Sequence, residues 1–244
     1  MQKYNSVLLK LSGEVLAGNN QFGFDFDTVK RICKEICEVY NAGIKLSMVV
    51  GGGNIIRGKV NEKLGIERSQ ADYMGMLGTV INALCIQDAL EQMNIPTRVM
   101  SAIDMRAIAE PYIRRRAIRH LEKNRIVIFA AGTGSPYFST DTAAALRASE
   151  IGVDCMIKAT KVDGIYNADP NLDSNAILFH NLTYQEALAK RLDVMDMAAF
   201  SLCMDNKIPL AVINILKEEN LTGFLIRGEK IGTMVRGGDN DVNS

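Results

Sequence analysis

The stretch VVGGGNIIRG, residues 49–58, places three consecutive glycines directly after an apolar run, with an arginine close behind them. The short apolar segment 44–50, which contains the first two residues of this stretch, predicts a β-strand. Glycines after such a strand let the backbone approach another group closely. The stretch therefore predicts an α/β fold in which a strand ends at a ligand-binding loop.

Predicted strands and helices alternate along the whole chain. The continuous apolar character of runs such as RIVIFAA, residues 125–131, favours a parallel sheet covered by helices on both faces. Strands are predicted at 6–13, 44–50, 97–102, 125–131, 154–160, 209–214 and 232–235. Helices are predicted at 25–43, 69–93, 112–123, 139–152, 183–191 and 195–206.

Composition argues against several classes of protein. With 28 basic and 28 acidic residues, the chain lacks the excess of cations that intrinsic nucleic-acid binding needs. Its densest basic run, Arg114–Arg116 with Arg119, is interpreted as a solvated helix face or a subunit contact. The odd count of five cysteines in 244 residues argues against a disulfide framework.

The ends and the hydropathy of the chain predict where it acts and how it is divided. The sequence has neither a leader peptide nor a run of about 20 apolar residues, so we expect a cytoplasmic protein without a membrane span. No linker composition interrupts residues 1–235, which are predicted to form a single domain. The polar, glycine-rich residues 236–244 predict a disordered tail.

Four predicted strands end in sequences that suit phosphate groups. They are Ser12-Gly13, Gly51–Gly53, Gly132–Gly134 and Lys158–Lys161. In an open parallel sheet, ligands bind outside the carboxyl ends of the strands. One glycine-rich turn is weak evidence, but four strand ends that carry Gly, Thr, Lys or Ser predict a site for phosphorylated ligands.

The common motifs that use glycine-rich loops do not fit. The chain has no G-x-x-x-x-G-K-[ST], and the third glycine of G-x-G-x-x-G is replaced by Ile56 in one loop and Tyr137 in another. It also lacks G-x-S-x-G and H-E-x-x-H, which argues against a serine hydrolase and a metal hydrolase. Phosphoryl transfer remains, because its catalysis rests on positioning and on charge neutralisation.

Two basic residues near the strand ends suit phosphoryl transfer. Lys10 interrupts an otherwise apolar strand, and an ammonium buried there without a partner is costly, so we expect it to serve a site. Arg57 follows the triple glycine. Asn54 between them is a candidate helix cap, and the helix that it begins would add amide donors.

Five sequence blocks together identify a family resemblance. LLKLSGE, VVGGGNIIRG, DYMGMLGTVINAL, AAGTGSPYFSTDTAA and KATKVDGIYNADP resemble, in order from about residue 5 to 235, the bacterial uridylate (UMP) kinases of the amino acid kinase superfamily. VMDMAAFSLCMDN resembles a later helical segment of that family. The combination of D-x-M-G-M-L with G-T-G-x-P-[FY]-F-[ST]-T-D is the most specific part.

The resemblance implies a fold, a reaction and a set of ligands. The fold would be a three-layer α-β-α sandwich with a mainly parallel sheet of about eight strands. The protein would be a homohexamer that phosphorylates UMP with ATP and Mg²⁺, with the metal carried by ATP and not held directly by the chain. The amino-terminal part of the domain would bind UMP and the carboxyl-terminal part ATP.

The resemblance also implies which residues bind each nucleotide. On the ATP side they are Lys10, Leu11, Ser12, Gly13, Gly53, Arg57, Thr160, Tyr166 and Asp169. On the UMP side they are Gly52, Asp72, Thr133, Gly134, Ser135, Pro136, Tyr137, Phe138, Ser139 and Thr140. The implied catalytic residues are Lys10, Arg57, Asp141 and Lys158.

The chemistry of these residues agrees with the implied division. An aspartate such as Asp72 accepts hydrogen bonds from both ribose hydroxyls, and Tyr166 suits stacking on adenine. Asp141 is expected to orient the lysines, with helix capping as the alternative. An acceptor phosphate is a dianion near neutral pH, since its second pKa is about 6, so no catalytic base is expected.

Regulation by nucleotides is a further implication of the resemblance. GTP is expected to activate and UTP to inhibit. The GTP effect would involve Gly18, Asn19, Asn20, Gln21, Phe22, Gly23 and Arg98. Asn20 and Gln21 depart from the acidic and glycine residues expected at these positions.

Two other functions stay open at this point. One is a related kinase that acts on a carboxylate such as N-acetylglutamate or aspartate, or on carbamate, although its acceptor pocket would want an arginine where this chain has the loop Thr133–Thr140. The other is a nucleotide-sensing regulator without turnover. The presence of Lys10 and Arg57 argues against an inactive enzyme.

Overall fold

The computed structural model describes residues 4–56, 65–170, 172–173, 175–192 and 194–237. Its strands are β1 (Ser6–Leu11), β2 (Lys45–Val50), β3 (Thr97–Ser101), β4 (Glu110–Pro111), β5 (Ile126–Ala130), β6 (Cys155–Thr160), β7 (Ile165–Tyr166), β8 (Leu178–Phe179), β9 (Asn181–Thr183), β10 (Leu210–Asn214) and β11 (Thr233–Arg236). Its helices are α1 (Gly13–Leu16), α2 (Phe26–Asn41), α3 (Arg68–Gln92), α4 (Arg114–Glu122), α5 (Thr140–Ile151), α6 (Tyr184–Ala189), α7 (Met197–Asp205) and α8 (Asn220–Thr222), which a π-helical turn, Gly223–Arg227, follows.

One large sheet organises the described chain. It has nine strands in the order β4-β3-β5-β2-β1-β6-β10-β11-β9. Every neighbouring pair is parallel except β10 and β11, which are antiparallel. The expected mainly parallel α/β sheet is confirmed, with one strand more than the approximate count. β7 and β8 form a separate antiparallel pair that the sequence did not predict.

Helices cover both faces of the sheet, so its strands are buried on both sides. Alternate residues of β1 show this, because Val7 and Leu9 pack with α2 and α3 while Leu8 packs with α4, α5 and α7. Each fully buried side chain of this kind stabilises the fold by about 1.5–3 kcal/mol. The two apolar clusters make the three-layer α-β-α sandwich.

The strand order brings the four phosphate-friendly loops together. Ser12-Gly13, Gly51–Gly53 and Gly132–Gly134 follow β1, β2 and β5, and Lys158–Lys161 is the carboxyl end of β6 with the residue after it; these strands are consecutive in the sheet order β5-β2-β1-β6. These four strands are parallel, so their carboxyl ends lie at one edge of the sheet.

Side chains and a glycine cap the ends of the helices near the site. Asp25 caps α2 by accepting from Thr28 N, and Ser139 caps α5 by accepting from the backbone N–H groups of Asp141 and Thr142. Gly152, with φ +67°, ends α5 in the left-handed conformation that glycine tolerates. These caps make the start of α5 a fixed position at the ligand edge of the sheet.

Several predicted boundaries were wrong for local reasons. The first strand ends at Leu11 and not at residue 13, because Gly13 already begins α1. The helix predicted from residue 112 begins at Arg114, because Glu110–Pro111 form the edge strand β4. Arg236, expected to start the tail, is the last residue of β11, and residues 238–244 lie outside the described residues.

Other expectations can be followed in the described part of the chain. The arginines of the run 114–116 and Arg119 are exposed on α4, as interpreted. The five cysteines are free. No helix among the described residues has both the length and the apolar character that a membrane crossing requires. The single-domain assignment of residues 1–235 remains a prediction.

Candidate active site

Two lysines and one aspartate form the charged centre of the ligand edge. Lys10 of β1 and Lys158 of β6 are direct neighbours in the parallel register of these strands. Lys10 Nζ lies 2.6 Å from Asp141 Oδ1, and Lys158 Nζ donates to Asp141 Oδ2 at 2.8 Å. Lys158 Nζ also donates to Val194 O at 2.6 Å. The structure therefore brings together three of the four predicted catalytic residues.

The electrostatics of this centre favour an additional anion. Burial by itself opposes the charged form of Asp141, but the attraction and hydrogen bonds of Lys10 and Lys158 outweigh it and lower the pKa of the carboxyl group. One carboxylate compensates only one of two ammonium groups. The centre thus carries one net positive charge at an edge of the sheet where glycine loops expose backbone N–H groups.

The glycine loop after β2 packs too closely for larger residues. A Cβ atom on Gly52 would lie 2.6 Å from Gly75 O of α3, and one on Gly13 would lie 2.6 Å from Gly53 N. Distances this short between Cβ and backbone atoms do not occur without displacement of the chain. Glycines at these positions let the loops after β1 and β2 and helix α3 meet backbone to backbone.

The first cavity lies between this loop, α3 and the loop after β5. It has a volume of about 460 Å³, and four residues of the predicted UMP side line it: Gly52, Asp72, Phe138 and Thr140. Asp72 Oδ2 accepts a hydrogen bond from Tyr137 N at 2.8 Å. The volume and the mixed apolar and polar lining suit a ligand of nucleotide size.

Other predicted acceptor residues shape the loop and do not line the cavity. Thr133 Oγ1 accepts from Ser135 N at 3.2 Å and donates to Ser135 O at 3.1 Å, and Gly134 and Tyr137 have φ values of +82° and +72°. Ser139 caps α5, and its hydroxyl donates to Asp196. The residues of this loop outside the cavity lining are Thr133, Gly134, Ser135, Pro136, Tyr137 and Ser139.

A second cavity lies on the other side of β1, near the end of β6. Its volume is about 490 Å³, and its lining includes Lys158 and three residues of the predicted ATP side: Thr160, Tyr166 and Asp169. Ser12 and Gly13 stand at the end of β1, between the two cavities in the strand order. Leu11 is fully buried in the core, so only its backbone faces the loops.

Three expectations concern residues 53–57. Gly53, expected on the ATP side, lines the first cavity with Gly52, and its contact with ATP stays a prediction. The Asn54 side chain, expected to cap a helix, is buried and bonded to Asn82 and Gly23 O, and most of the helix that it would begin lies outside the described residues. Arg57 lies outside the described residues.

Sequence reasoning missed several residues of the site. Lys190 and Arg191, after α6, line the second cavity, and Arg68 and Gly75 of α3 line the first. The Arg68 guanidinium lies 5.0 Å from the centre of the Tyr137 ring. Gly75 was inside a quoted motif, but nothing in the local sequence of the others indicated which cavity their fold position reaches.

The segment predicted to respond to GTP, Gly18–Gly23, contacts Asn54 after the glycine loop and Lys161 after β6. Gly23 N donates to Asn54 O, and Asn54 Nδ2 donates to Gly23 O, both at 2.8 Å. Lys161 Nζ donates to Gly18 O at 3.2 Å. Arg98 is not brought to this segment within the described chain, where its side chain meets Glu91, Glu110 and Thr97 O.

The described donor groups of the site do not form a metal-binding cluster. Among the described residues, no three His, Cys, Asp or Glu side chains are grouped as a metal site. Mg²⁺ keeps several waters and binds substrate phosphates with one or two carboxylates, so a nucleotide site does not need such a group. The expectation that ATP carries the metal therefore stays a prediction.

Replacing Asp141 by Asn is expected to destabilise the fold by about 3–5 kcal/mol at pH 7, because the buried Lys10 ammonium and the partly buried Lys158 ammonium lose their counter-charge. The folded-state pKa of Asp141 is lowered, so its stabilisation is full well above the unfolded pKa of about 3.9 and is lost as the pH falls through the folded pKa. Urea unfolding at several pH values measures the difference, which should narrow in acid.

Asp163→Asn is the matched control. A hydrogen bond from Lys217 lowers the pKa of Asp163, but that side chain is 36% exposed and Lys217 is 60% exposed, so solvent screens the pair and the expected loss is below about 1 kcal/mol. Equal losses in the two variants would contradict the special role of the buried centre.

The chain is similar in sequence to a kinase family and to two uridylate kinases. A sequence profile of the amino acid kinase family matches residues 5–214. Uridylate kinases of Pediococcus pentosaceus and Limosilactobacillus reuteri are each 56% identical over 236 residues, which are 96% of this chain and 98% of theirs.

Solved structures agree with this similarity. A UMP kinase of Bacillus anthracis superposes with a TM-score of 0.92 at 38% identity and covers 96% of each chain. A UMP kinase of Ureaplasma parvum gives 0.90 at 35%, covering 96% of this chain and 99% of the other. The chain therefore belongs to the amino acid kinase family and, within it, to the uridylate kinases.

Proposed function

We propose that the protein transfers the γ-phosphate of ATP reversibly to UMP, giving UDP and ADP, as a cytoplasmic step of pyrimidine nucleotide biosynthesis. The observation that carries the proposal is the position of the charged centre between two cavities. Thr140 lines the first cavity and precedes Asp141, while Lys158 lines the second and binds Asp141. A phosphoryl group that passes between nucleotides in these cavities crosses the region of net positive charge.

The arrangement suits an acceptor that is itself a phosphate. A UMP phosphate needs no base, since it is already a dianion near neutral pH, but it repels the donor phosphates. Lys10 and Lys158 are proposed to reduce that repulsion, and the backbone N–H groups of Gly52, Gly53 and Gly13 to bind phosphate oxygens. Arg57 is proposed to neutralise the negative charge on the oxygens of the transferred phosphoryl group. That charge is spread over these oxygens in the transition state, where the bonds to the donor and acceptor oxygens are long.

Asp141 has a positioning role in this proposal. It holds both ammonium groups within 3 Å of one carboxylate, which fixes their place before the nucleotides bind. Preorganised charges need no rearrangement at the moment of reaction, and this is their main advantage over water. Mg²⁺ bound to ATP would neutralise further phosphate charge.

The remaining binding roles follow the cavities. Asp72, with one oxygen already bound to Tyr137 N, is proposed to accept from ribose hydroxyls of UMP, and the loop Thr133–Thr140 to enclose the uridine. Thr160, Tyr166 and Asp169 are proposed to contact ATP from the second cavity. The similarity to uridylate kinases favours UMP over the carboxylate acceptors of other amino acid kinases.

A panel of acceptors tests the activity. ATP consumption is measured with UMP, CMP, dUMP, N-acetylglutamate and aspartate, and UMP is expected to react fastest. Lys10→Ala and Arg57→Ala are expected to lower kcat by about 10²–10³-fold, well beyond any rise in KM for UMP, because they remove charge stabilisation of the transferred group.

Lys45→Ala serves as the control, since Lys45 is exposed at the opposite end of β2. Turnover of an amino acid but not UMP would overturn the proposal. Tight nucleotide binding without any turnover would instead favour the sensing regulator.

We further propose a homohexamer, supported by the outer face of α3. Tyr73, Leu77 and Ile81 recur every fourth residue on this helix, and with Met74 they are between 37% and 51% exposed. Opposite them, Met76, Val80 and Ala83 are buried in the core. A helix that is apolar all round is typical of one that is buried on all sides, which an α3 contact between subunits would achieve.

Leu77→Glu is expected to reduce the oligomer mass measured by light scattering, because a charge is costly to bury in an apolar contact. Leu172→Glu is the matched control, since Leu172 is 86% exposed on a separate loop. A hexamer that persists unchanged in Leu77→Glu excludes this face as a contact, and a monomeric parent protein excludes the assembly itself.

Activation by GTP is proposed to involve the segment Gly18–Gly23 and Arg98, and inhibition by UTP is proposed without assigned residues. The contacts of this segment with Asn54 and Lys161 support the proposal, because an effector bound at the segment would alter the position of the glycine loop after β2 and of the end of β6. We expect GTP to raise the rate at subsaturating ATP and UTP to lower it. Initial rates with and without each nucleotide decide the matter, and a rate that GTP leaves unchanged rejects activation.

A further inference from the structure

We infer that Asn54, Thr79 and Asn82 are positioning residues. They hold two of the four phosphate-friendly loops, Gly51–Gly53 and the loop that begins at Ala131 after β5, on helix α3. The inference rests on the proposed UMP kinase function and assigns a role to three side chains inside the fold. All three are buried, with relative exposures of 0%, 2% and 0%. Two of them are polar residues on the core-facing side of a helix whose other core contacts are apolar.

Asn54 and Asn82 form a reciprocal amide pair. Asn82 Nδ2 donates to Asn54 Oδ1 at 2.6 Å, and Asn54 Nδ2 donates to Asn82 Oδ1 at 3.0 Å. Asn82 Nδ2 also donates to Gly51 O at 2.6 Å. The glycine loop is thereby bound to α3 at both of its ends, before Gly52 and after Gly53.

Thr79, nearly one turn before Asn82, holds the second loop. Its Oγ1 accepts from Ala131 N at 2.8 Å and donates to Met76 O at 2.7 Å. Ala131 begins the loop after β5 and has φ +60°, a conformation that is costly for alanine and needs support from its surroundings. The Thr79 hydrogen bond supplies such support at the point where this loop leaves the sheet.

Close packing completes the attachment. Gly52 approaches Gly75 O and the backbone around Gly78 so closely that a Cβ atom there would clash. The hydrogen bonds and this backbone contact together fix the distance and position of the glycine loop relative to α3. The same helix contributes Asp72 and Gly75 to the acceptor cavity.

This arrangement matters for catalysis because the loops act through backbone N–H groups. Their positions cannot be adjusted by a side-chain rotation, so an error in loop position becomes an error at the phosphate. A displacement near 1 Å at a reacting group costs roughly 100-fold in rate. The three residues are therefore assigned a kinetic role in addition to their contribution to stability.

The test compares kinetics per folded molecule with stability. Asn82→Ala and Thr79→Val are each expected to lower kcat with UMP by about 10- to 100-fold, with smaller changes in the KM values for ATP and UMP. Thr79→Ser retains the hydroxyl group and is expected to recover most of the Thr79→Val loss. The double variant Asn54→Ala/Asn82→Ala should lose little more than the more impaired single variant, since both act through one amide pair.

Thr97→Val is the matched control for buried hydrogen bonding. Thr97 is fully buried and its Oγ1 donates to Ile95 O at 3.1 Å, away from the ligand edge. It is expected to lower the stability to urea while kcat remains that of the parent. Folded fractions are measured for every variant at the assay temperature.

Each outcome decides the inference. Wild-type kcat per folded molecule in both Asn82→Ala and Thr79→Val overturns it, as does a Thr79→Ser variant no better than Thr79→Val. If Asn82→Ala does not fold, the two Thr79 variants decide alone. A parent protein that does not phosphorylate UMP overturns the proposed function first, so the two failures are distinguishable.

Discussion

The attraction of one buried and one partly buried lysine to a single aspartate is the interaction on which the site depends. Parallel register places Lys10 and Lys158 side by side, where like charges repel and burial opposes both. Asp141 makes this position tolerable, and its own position is fixed by the Ser139 cap at the start of α5. The packing of α5 on the sheet and the charge balance of the site therefore depend on the same contacts of Asp141.

The same interaction explains why the site favours the binding of an anion. The single carboxylate of Asp141 leaves one of the two ammonium charges uncompensated, and glycine loops follow the nearby strands β1, β2 and β5. A phosphate that enters meets one uncompensated ammonium charge at low local dielectric, where electrostatic interactions are stronger than in water. In the proposed reaction, phosphate binding and phosphate transfer use the charge that the folded protein leaves unbalanced.

Much of the fold was predictable because its signals are local. Apolar runs, glycine ends and caps marked the alternation of strands and helices, and Lys10 in an apolar strand indicated a required partner. Strand order was not predictable in this way, since it depends on pairings between distant residues. Nor was the function of Asn54, because an asparagine after glycines resembles a cap until Asn82, distant in sequence, is seen beside it.

Helix α3 links requirements that the sequence presents separately. Its outer row, represented by Leu77, is apolar, its first turns line the acceptor cavity, and its inner polar residues bind both loops. Since a helix moves nearly as a rigid body, these three faces cannot shift independently. A subunit contact on the outer row would therefore restrict the helix that carries the glycine loop. In the proposed hexamer, assembly and phosphate positioning would be coupled through hydrogen bonds within two turns of one helix.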